Sequence, residues 1–141
     1  MVTGTKLSKV GNGTSVDPTS FKQLVGSLRY LTATRPDLIY LVNMVSRFME
    51  SPGEPHLAAA KRNLRYVKGT SDFGIQYRRS RNAGLVRYVD SNYAEDEDYR
   101  KSTTGYAFML RGGAVSWDSK KQPIVTMSTI EAEYVDAVYG A

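Results

Sequence analysis

The chain has 141 residues, of which 41% are hydrophobic and 11% aromatic, so it can bury the core of one domain or of two small units. It contains no cysteine, which excludes a disulfide framework and thiolate chemistry and is typical of a reducing compartment. Its 19 Lys and Arg residues against 14 Asp and Glu give a net charge of +5, which favours a polyanionic partner but equally fits a solvated basic surface.

The first 16 residues consist largely of Gly, Ser, Thr and Lys and show neither helical nor strand periodicity, which predicts a flexible lead-in. No stretch of the sequence has the uninterrupted apolar core of a secretory signal, and none approaches the length of a membrane span. We therefore expect an intracellular protein, in the cytoplasm or the nucleus, with no membrane partner.

Residues 17–69 show helical periodicity in three consecutive segments. Asp17 and Pro18 supply a cap and a helix-compatible first residue for the first helix, which ends at residue 31. A second helix is predicted from residue 36 to residue 49, and a third from residue 55 to Gly69. The short links predict a three-helix bundle. The residues expected to face its core are Phe21, Leu24, Val25, Leu28, Leu31, Leu38, Leu41, Val42, Val45, Phe48, Met49, Leu57, Ala60, Leu64 and Val67.

Strand patterns replace helical ones after residue 72. Residues 73–77 are predicted to form a strand, and the polar, basic residues 78–82 a link between two domains. Three further strands are predicted at residues 85–90, 105–110 and 114–117, the last two joined by a hairpin turn at residues 111–113.

A final helix opens with a capping box, in which Ser128 precedes Glu131 by three positions. The apolar residues of this helix that recur at helical spacing are Ile130, Tyr134, Ala137 and Val138. The chain is therefore predicted to be α+β, with a three-helix bundle followed by three antiparallel strands and a helix.

Carboxylates at the end of one strand and on the last helix are candidates for a metal site. Asp90 closes the strand 85–90, and Glu133 lies at the edge of the apolar stripe of the last helix. Glu131 is expected to act as a cap by reaching back to the Ser128 amide, whereas Glu133 is either a metal ligand or an exposed helical glutamate. Phosphoryl chemistry with two metal ions needs several carboxylates from different elements, so Asp90 does not suffice alone.

The acidic run from Glu95 to Asp98 resembles a metal site more closely than Asp90 does. Consecutive carboxylates in a loop repel one another and usually point into solvent. We interpret the run as a charged loop that Arg100 and Lys101 can neutralise, with a metal role as the alternative.

Five long segments in order carry a family resemblance: SFKQLVGSLRYLTATRPDLIYLVNMVSRFM, AAKRNLRYVKGT, YVDSNYAEDEDYRKSTTGYAF, SWDSKKQPIV and STIEAEYVDA. From about Asp17 to its end, the chain resembles the polyprotein of copia-type retrotransposons. The resemblance implies that residues 17–82 correspond to the thumb- or connection-like tail of a reverse transcriptase. It implies that residues 83–141 correspond to a truncated ribonuclease H domain with an incomplete sheet.

Ribonuclease H domains cut the RNA strand of RNA–DNA hybrids with Mg²⁺ held by carboxylates. Carried over to this chain, the resemblance implies that Asp90 and Glu133 are the catalytic and metal-binding residues of a vestigial, incomplete set. The polymerase aspartates would lie upstream of Met1, and the third ribonuclease H aspartate beyond Ala141. The resemblance therefore implies weak or absent Mg²⁺ binding and no catalytic activity of this fragment by itself.

Four positions depart from the family pattern. Asn92 stands where the family usually has a second acid and Glu95 where it has a glycine. Arg87 and Asp136 each stand where a small residue is usual. These departures resemble the drift of a copy that is no longer selected for catalysis.

A second resemblance concerns Arg62-Asn63-Leu64-Arg65, which fits the RxLR translocation motif of secreted oomycete effectors. It implies an alternative function, a secreted effector that is translocated into host cells. The other interpretation is an amphipathic helix with Leu64 inward and the arginines outward.

Basic residues cluster in the third helix and the link that follows the predicted strand: Lys61, Arg62, Arg65, Lys68, Arg78, Arg79 and Arg81. They predict non-specific binding to duplex nucleic acid or to an RNA–DNA hybrid, because cations release counterions from phosphates. The incomplete sheet predicts self-association through an exposed edge. His56 has no partner at metal-ligand spacing and is expected at the surface.

Overall fold

The computed structural model describes residues 7–9, 13–79, 84–96 and 98–139. The chain is α+β, as predicted, and divides into two compact units, Met1–Gly74 and Ile75–Ala141. The division falls ahead of the basic link in which the sequence placed it.

The first unit is helical. Helix α1 spans Pro18–Leu31, a 3₁₀ turn spans Pro36–Leu38, α2 spans Ile39–Ser46 and α3 spans Glu54–Gly69. The Asp17 carboxylate caps α1, since it accepts hydrogen bonds from the Thr19 and Ser20 amides at 3.1 and 3.0 Å. Both ends of α1 agree with the prediction. The second predicted helix is shorter than expected, because its first turn is the 3₁₀ turn and it ends before residue 49.

The three helices pack against one another around two small clusters of buried apolar residues. The buried members of these clusters are Leu7, Phe21, Val25, Leu28, Leu38, Val42, Met44, Val45, Phe48, Ala59 and Ala60. The apolar faces of α1 and α2 are those that the sequence predicted. The hydrophobic spacing of their residues decided which side is buried.

The buried face of α3 agrees with the prediction at Ala60, which is buried, and at Leu57 and Val67, which pack against the core, but not at Leu64. Leu64 is 41% exposed, and Asn63 is buried in its place, where its Nδ2 donates to the Leu41 carbonyl at 3.3 Å. His56, expected at the surface, is 2% exposed and stacks on Phe48 with ring centroids 4.1 Å apart. The helix turns its small and polar residues inward, because the core beside it is already filled by the large side chains of α1 and α2.

The expectation of a flexible lead-in does not hold for its described residues. Leu7 is buried in the core of the first unit, and the Ser8 carbonyl lies 3.0 Å from Nε2 of His56. Ser15 forms an isolated bridge with Gly53, and the Val16 amide donates to the Pro52 carbonyl at 3.0 Å. The sequence did not predict the contacts of Ser8, Ser15 and Val16, because main-chain atoms make them.

The second unit contains an antiparallel sheet in the order β1–β2–β3, with β1 at Leu85–Asn92, β2 at Thr103–Leu110 and β3 at Gly113–Lys121. All three lie where the sequence predicted strands, and each is longer. Arg111 and Gly112 form the hairpin turn, with φ of +53° and +79°, the left-handed values that a two-residue hairpin turn requires. Helix α4 spans Thr129–Tyr139 and packs on β1.

The prediction of a strand at residues 73–77 is wrong, since residues 73–79 have no regular secondary structure. Two isolated hydrogen bonds hold part of this segment to the β2–β3 hairpin. The Tyr77 hydroxyl donates to the Ala114 carbonyl at 2.7 Å, and the Arg78 amide to the Arg111 carbonyl at 3.1 Å. Phe73 and Tyr77, the large apolar residues that suggested a strand, are 56% and 55% exposed.

The buried side of α4 also differs from expectation. Ala132, Val135 and Asp136 are buried, whereas the predicted stripe is exposed, with Ile130 at 77% and Tyr134 at 70%. Hydrogen bonds from β2 and from the residue after β3 hold the Asp136 carboxylate toward the sheet, so a polar residue decides which side of α4 is covered.

Candidate functional site

Asp90 and Glu133, the two acidic residues that the sequence singled out, both line one cleft of about 420 Å³. Asp90 lies near the end of β1 and Glu133 lies on α4. The residues that line the cleft are Arg87, Val89, Asp90, Ser91, Glu133, Asp136 and Ala137. The proximity of Asp90 to Glu133 follows from the packing of α4 on β1.

The residues of this cleft do not fit a divalent metal centre. Alternation along β1 puts Asp90 on the face of Tyr88, which is 62% exposed, whereas Arg87 faces α4 and hydrogen bonds with it. Among the residues that the structure describes, no group of three or more His, Asp or Glu side chains is placed to hold a metal ion. Mg²⁺ and other hard cations need at least that many oxygen ligands or a substrate that completes the set.

Asp136 is the carboxylate of the cleft that lies deepest, at 2% exposure. Its Oδ1 accepts hydrogen bonds from the Thr104 hydroxyl and, at 2.8 Å, from Nε2 of Gln122. Its Oδ2 and the Nε of Arg87 are both buried, and neither has a hydrogen-bond partner among the described residues. The cleft therefore contains one unpaired acceptor and one unpaired donor of opposite charge.

Glu131 acts at the start of α4. Its Oε2 accepts a hydrogen bond from the Met127 amide at 2.7 Å, and its own amide donates to the Ser128 hydroxyl at 3.2 Å. Glu131 therefore caps the helix as expected, although it reaches the amide of Met127 and not that of Ser128.

The acidic loop is not simply exposed to solvent. Asp96 is 6% exposed, and its Oδ2 accepts from the Tyr99 amide at 3.0 Å and from Lys121 at 2.7 Å. Lys121 of β3 forms an ion pair with Asp96, and Lys101 donates to the Pro123 carbonyl. The prediction that the run points into solvent is wrong for Asp96, which organises the loop. Glu97 lies outside the described residues.

The basic residues of α3 lie on one exposed surface. Lys61, Arg62, Arg65 and Lys68 are all exposed, and no ion pair with a described residue holds their side chains. They lie within eight residues, from Lys61 to Lys68, which is about 10 Å along the helix axis. Arg78 and Arg79 of the second unit are exposed as well, and the predicted contribution of Arg81 lies outside the described residues. We call the four side chains of α3 the cationic stripe.

A second basic surface was missed by the sequence reasoning. A cleft of about 690 Å³ in the second unit is lined by Lys101, Thr104, Tyr106, Asp118, Lys120, Lys121, Gln122 and Pro123. Three of these side chains are lysines, against one aspartate. The sequence contained one signal for this cleft. The hairpin turn at Gly112 sets the register of β2 and β3, and this register places Lys120 beside Thr104.

The segment that resembles an RxLR motif is helical. It lies within α3, with Arg62, Leu64 and Arg65 exposed and Asn63 buried. The interpretation that Leu64 faces inward is therefore wrong, because the helix is rotated so that Asn63 meets α2.

The chain is therefore a basic α+β protein with a cleft lined by acidic residues. Comparisons with known proteins show what it is similar to. It is 45% identical to the retrovirus-related Pol polyprotein from transposon RE1 of Arabidopsis thaliana over 134 residues, which are 95% of this chain and 9% of the relative. It is 47% identical over 118 residues to that from transposon TNT 1-94 of Nicotiana tabacum, covering 83% of this chain and 9% of the relative. The chain is therefore homologous to a segment of the retrovirus-related Pol polyproteins of copia-type transposons.

The chain spans 9% of the length of these polyproteins. It is also 46% identical to the secreted RxLR effector protein 161 of Plasmopara viticola over 112 residues, which are 79% of each chain. No protein-family model and no solved structure matches the chain. Within the described residues, every helix is too short or too polar to cross a bilayer.

Proposed function

We propose that this chain is a piece of a copia-type Pol polyprotein that joins the tail of the reverse transcriptase to the first part of the ribonuclease H domain. Three mutually packed helices followed by an antiparallel meander and a helix support the division into a helical bundle and an incomplete ribonuclease H-like sheet. The cleft that Asp90 and Glu133 share supports the second assignment.

The fragment binds nucleic acid without sequence preference and does not cleave it. The observation that carries the binding proposal is the cationic stripe of Lys61, Arg62, Arg65 and Lys68, whose side chains are exposed and not engaged in ion pairs with described residues. Cations in this state release counterions when they contact phosphates, which favours binding at low salt. In the second unit, the exposed Lys120 of the larger cleft adds a further cation for phosphate groups.

The residues of the cleft support the proposal that the fragment does not cleave nucleic acid. Two metal ions in a phosphoryl-transfer site need carboxylates that converge, and the described residues provide no group of three. Mg²⁺ binding in the cleft is therefore weak or absent in this fragment. We place the chain in the cytoplasm or the nucleus, where nucleic acid is available to the stripe.

Fluorescence anisotropy of a labelled RNA–DNA hybrid tests the binding proposal. The expected result is binding that weakens steeply as salt rises from 50 to about 200 mM and that is similar for hybrids of unrelated sequence. Affinity that does not change with salt would contradict it.

Self-association through β1 accompanies this function. The strand is at the edge of the sheet, and Leu85, Val86 and Tyr88 are between 48% and 62% exposed. Exposed apolar edge strands pair with a second copy. Light scattering after size exclusion should show a dimer that Tyr88→Lys weakens and that Tyr30→Lys, at an exposed site in the other unit, leaves unchanged.

An effector function is the alternative, and it is favoured by the similarity to the Plasmopara viticola protein over 79% of each chain. Exposure of Arg62, Leu64 and Arg65 agrees with recognition of the motif. Sequencing of the full-length transcript distinguishes the two functions, since the effector requires a secretory signal in frame and the polyprotein requires polymerase sequence there.

A further inference from the structure

The face of the sheet that points away from α4 has two aromatic side chains on either side of a small one. The register of the strands places Tyr88 of β1 beside Ala107 of β2, and Ala107 beside Trp117 of β3. Paired residues of an antiparallel sheet point to the same face, whereas Arg87, next to Tyr88 in the chain, points to the opposite face and contacts α4. Tyr88 is 62% exposed, and Trp117 is partly exposed.

The middle strand leaves room between these two rings. β1 and β3 are separated by two strand spacings, about 10 Å, and Ala107 contributes only a methyl group between them. A Cβ at Gly105, the next position of β2 on this face, would have only main-chain oxygens of described residues within 4 Å. A flat ring placed midway would lie about 5 Å from Tyr88 and from Trp117, which is within the separation of stacked aromatic rings.

Three arginines lie at the end of this face that is nearest the β2–β3 turn. Arg111 is in the turn itself, and the Arg78 amide donates to the Arg111 carbonyl at 3.1 Å, which brings Arg78 and Arg79 to the turn. All three are exposed, and none forms an ion pair with a residue of the described ranges. Four residues of strand, about 13 Å, separate Arg111 from Ala107. Cations and aromatic rings are therefore close together on the second unit.

We propose that this face binds single-stranded nucleic acid, with bases stacked on Tyr88 and Trp117 and phosphates held by the arginines of the turn. Aromatic rings beside cations bind single strands without reading their sequence. Bases within a duplex stack on one another, so the rings favour a strand whose bases are unpaired. Asp90, two residues beyond Tyr88 on the same face, repels phosphates and keeps them toward the arginines. The inference deepens the proposed function and rests on it, because it names the form of nucleic acid that the second unit takes.

Trp117 is the only tryptophan of the chain, so its fluorescence reports on this face alone. A short single-stranded oligothymidylate should quench the emission, with an affinity about ten-fold or more above that of the same strand annealed to oligodeoxyadenylate. Tyr88→Ala should weaken single-strand binding about five-fold or more, whereas Tyr88→Phe keeps the ring and should match the wild type. Tyr30→Ala, at a tyrosine of the first unit that is 83% exposed, is the control and should change nothing.

The titration is made at a protein concentration at which light scattering shows a monomer. Anisotropy that shows binding without quenching of Trp117 would overturn this inference and leave binding by the cationic stripe intact, whereas no binding in either measurement would overturn both. Equal affinity for single strand and duplex would also contradict the inference. Emission that changes with protein concentration and not with the oligonucleotide would show that a second copy covers the face. Circular dichroism shows whether the variants fold, and the comparison of single strand with duplex needs only the wild type.

Discussion

Lys121 at the end of β3 donates to the buried carboxylate of Asp96 at 2.7 Å, and this ion pair joins the acidic loop to the far strand of the sheet. The same lysine lies 4.4 Å from the centroid of the Tyr99 ring. Asp96 therefore holds the loop between β1 and β2 against the sheet.

Asp96→Asn should destabilise the second unit by about 1–3 kcal/mol, because it removes a charge-assisted bond and leaves Lys121 without its partner. Urea denaturation measures the change. Glu133→Gln, at an exposed carboxylate of the same unit, is the control and should remain within about 0.5 kcal/mol of the wild type. Equal stability of the two variants would show that the Asp96 contacts have no net effect.

Asp37 gives the first unit a pH dependence. Hydrogen bonds from the Arg35 guanidinium at 2.7 and 2.9 Å, and then one from the Tyr66 hydroxyl, hold the pKa of Asp37 below its ordinary value. A carboxyl group whose pKa is lower in the folded than in the unfolded state stabilises the fold fully at pH values above its unfolded-state pKa, near 3.9. It loses that contribution as the pH falls through its folded-state pKa. The stabilisation is thus present at pH 7 and lost in acid.

Asp37→Asn should cost about 1 kcal/mol at pH 7, at the low end for a bond to a charged group because the Asp37 side chain is 33% exposed. The difference from the wild type should shrink below about pH 4. Thermal denaturation across this pH range checks the prediction, with Asp72→Asn at an exposed aspartate as the control. A difference that grew in acid would have the wrong sign.

The cationic stripe predicts a defined salt dependence. Arg62→Gln with Arg65→Gln removes two cations from α3, so the slope of log K against log salt should fall in magnitude by about 1.8 for duplex DNA. Lys22→Gln with Arg29→Gln removes two exposed cations from α1 and is the matched control. An equal loss in both double variants would mean that net charge, and not this surface, governs binding.

Gly113 is required by close approach. A Cβ at this position would lie 2.6 Å from the Tyr77 ring and 3.0 Å from the Gln76 carbonyl oxygen. Gly113→Ala should destabilise the second unit by about 1–3 kcal/mol, and by less in a Tyr77→Ala background. Gly84→Ala, where a Cβ meets nothing within 4 Å, is the control. An unchanged cost without the Tyr77 ring would place the strain elsewhere.

The sequence correctly predicted helix starts and turns that a few neighbouring residues determine. The Asp17-Pro18 start and the Arg111-Gly112 turn agree with the structure because caps and turns are decided by a few neighbouring residues. The predicted proximity of Asp90 and Glu133 came from the family resemblance, and the alternation of β1 alone gave only the face on which Asp90 lies.

The remaining errors arose where tertiary contacts override a pattern. Asn63 is buried in place of Leu64 because its side chain donates to a main-chain carbonyl of α2. The side of α4 that contains Asp136 faces the sheet because Thr104 and Gln122 donate hydrogen bonds to the Asp136 carboxylate. No periodicity rule contains these partners, which lie far away in the sequence. The pairing of Asp96 with Lys121 was hidden for the same reason.

The central claim is that this piece of a copia-type Pol polyprotein binds nucleic acid but does not cleave it. The most direct measurement incubates the purified chain with an RNA–DNA hybrid in Mg²⁺ and follows the RNA strand on a denaturing gel. The account predicts an intact RNA strand at salt low enough for the hybrid to be bound. Cleavage that disappears in Asp90→Asn would contradict it and would make Asp90 and Glu133 working ligands.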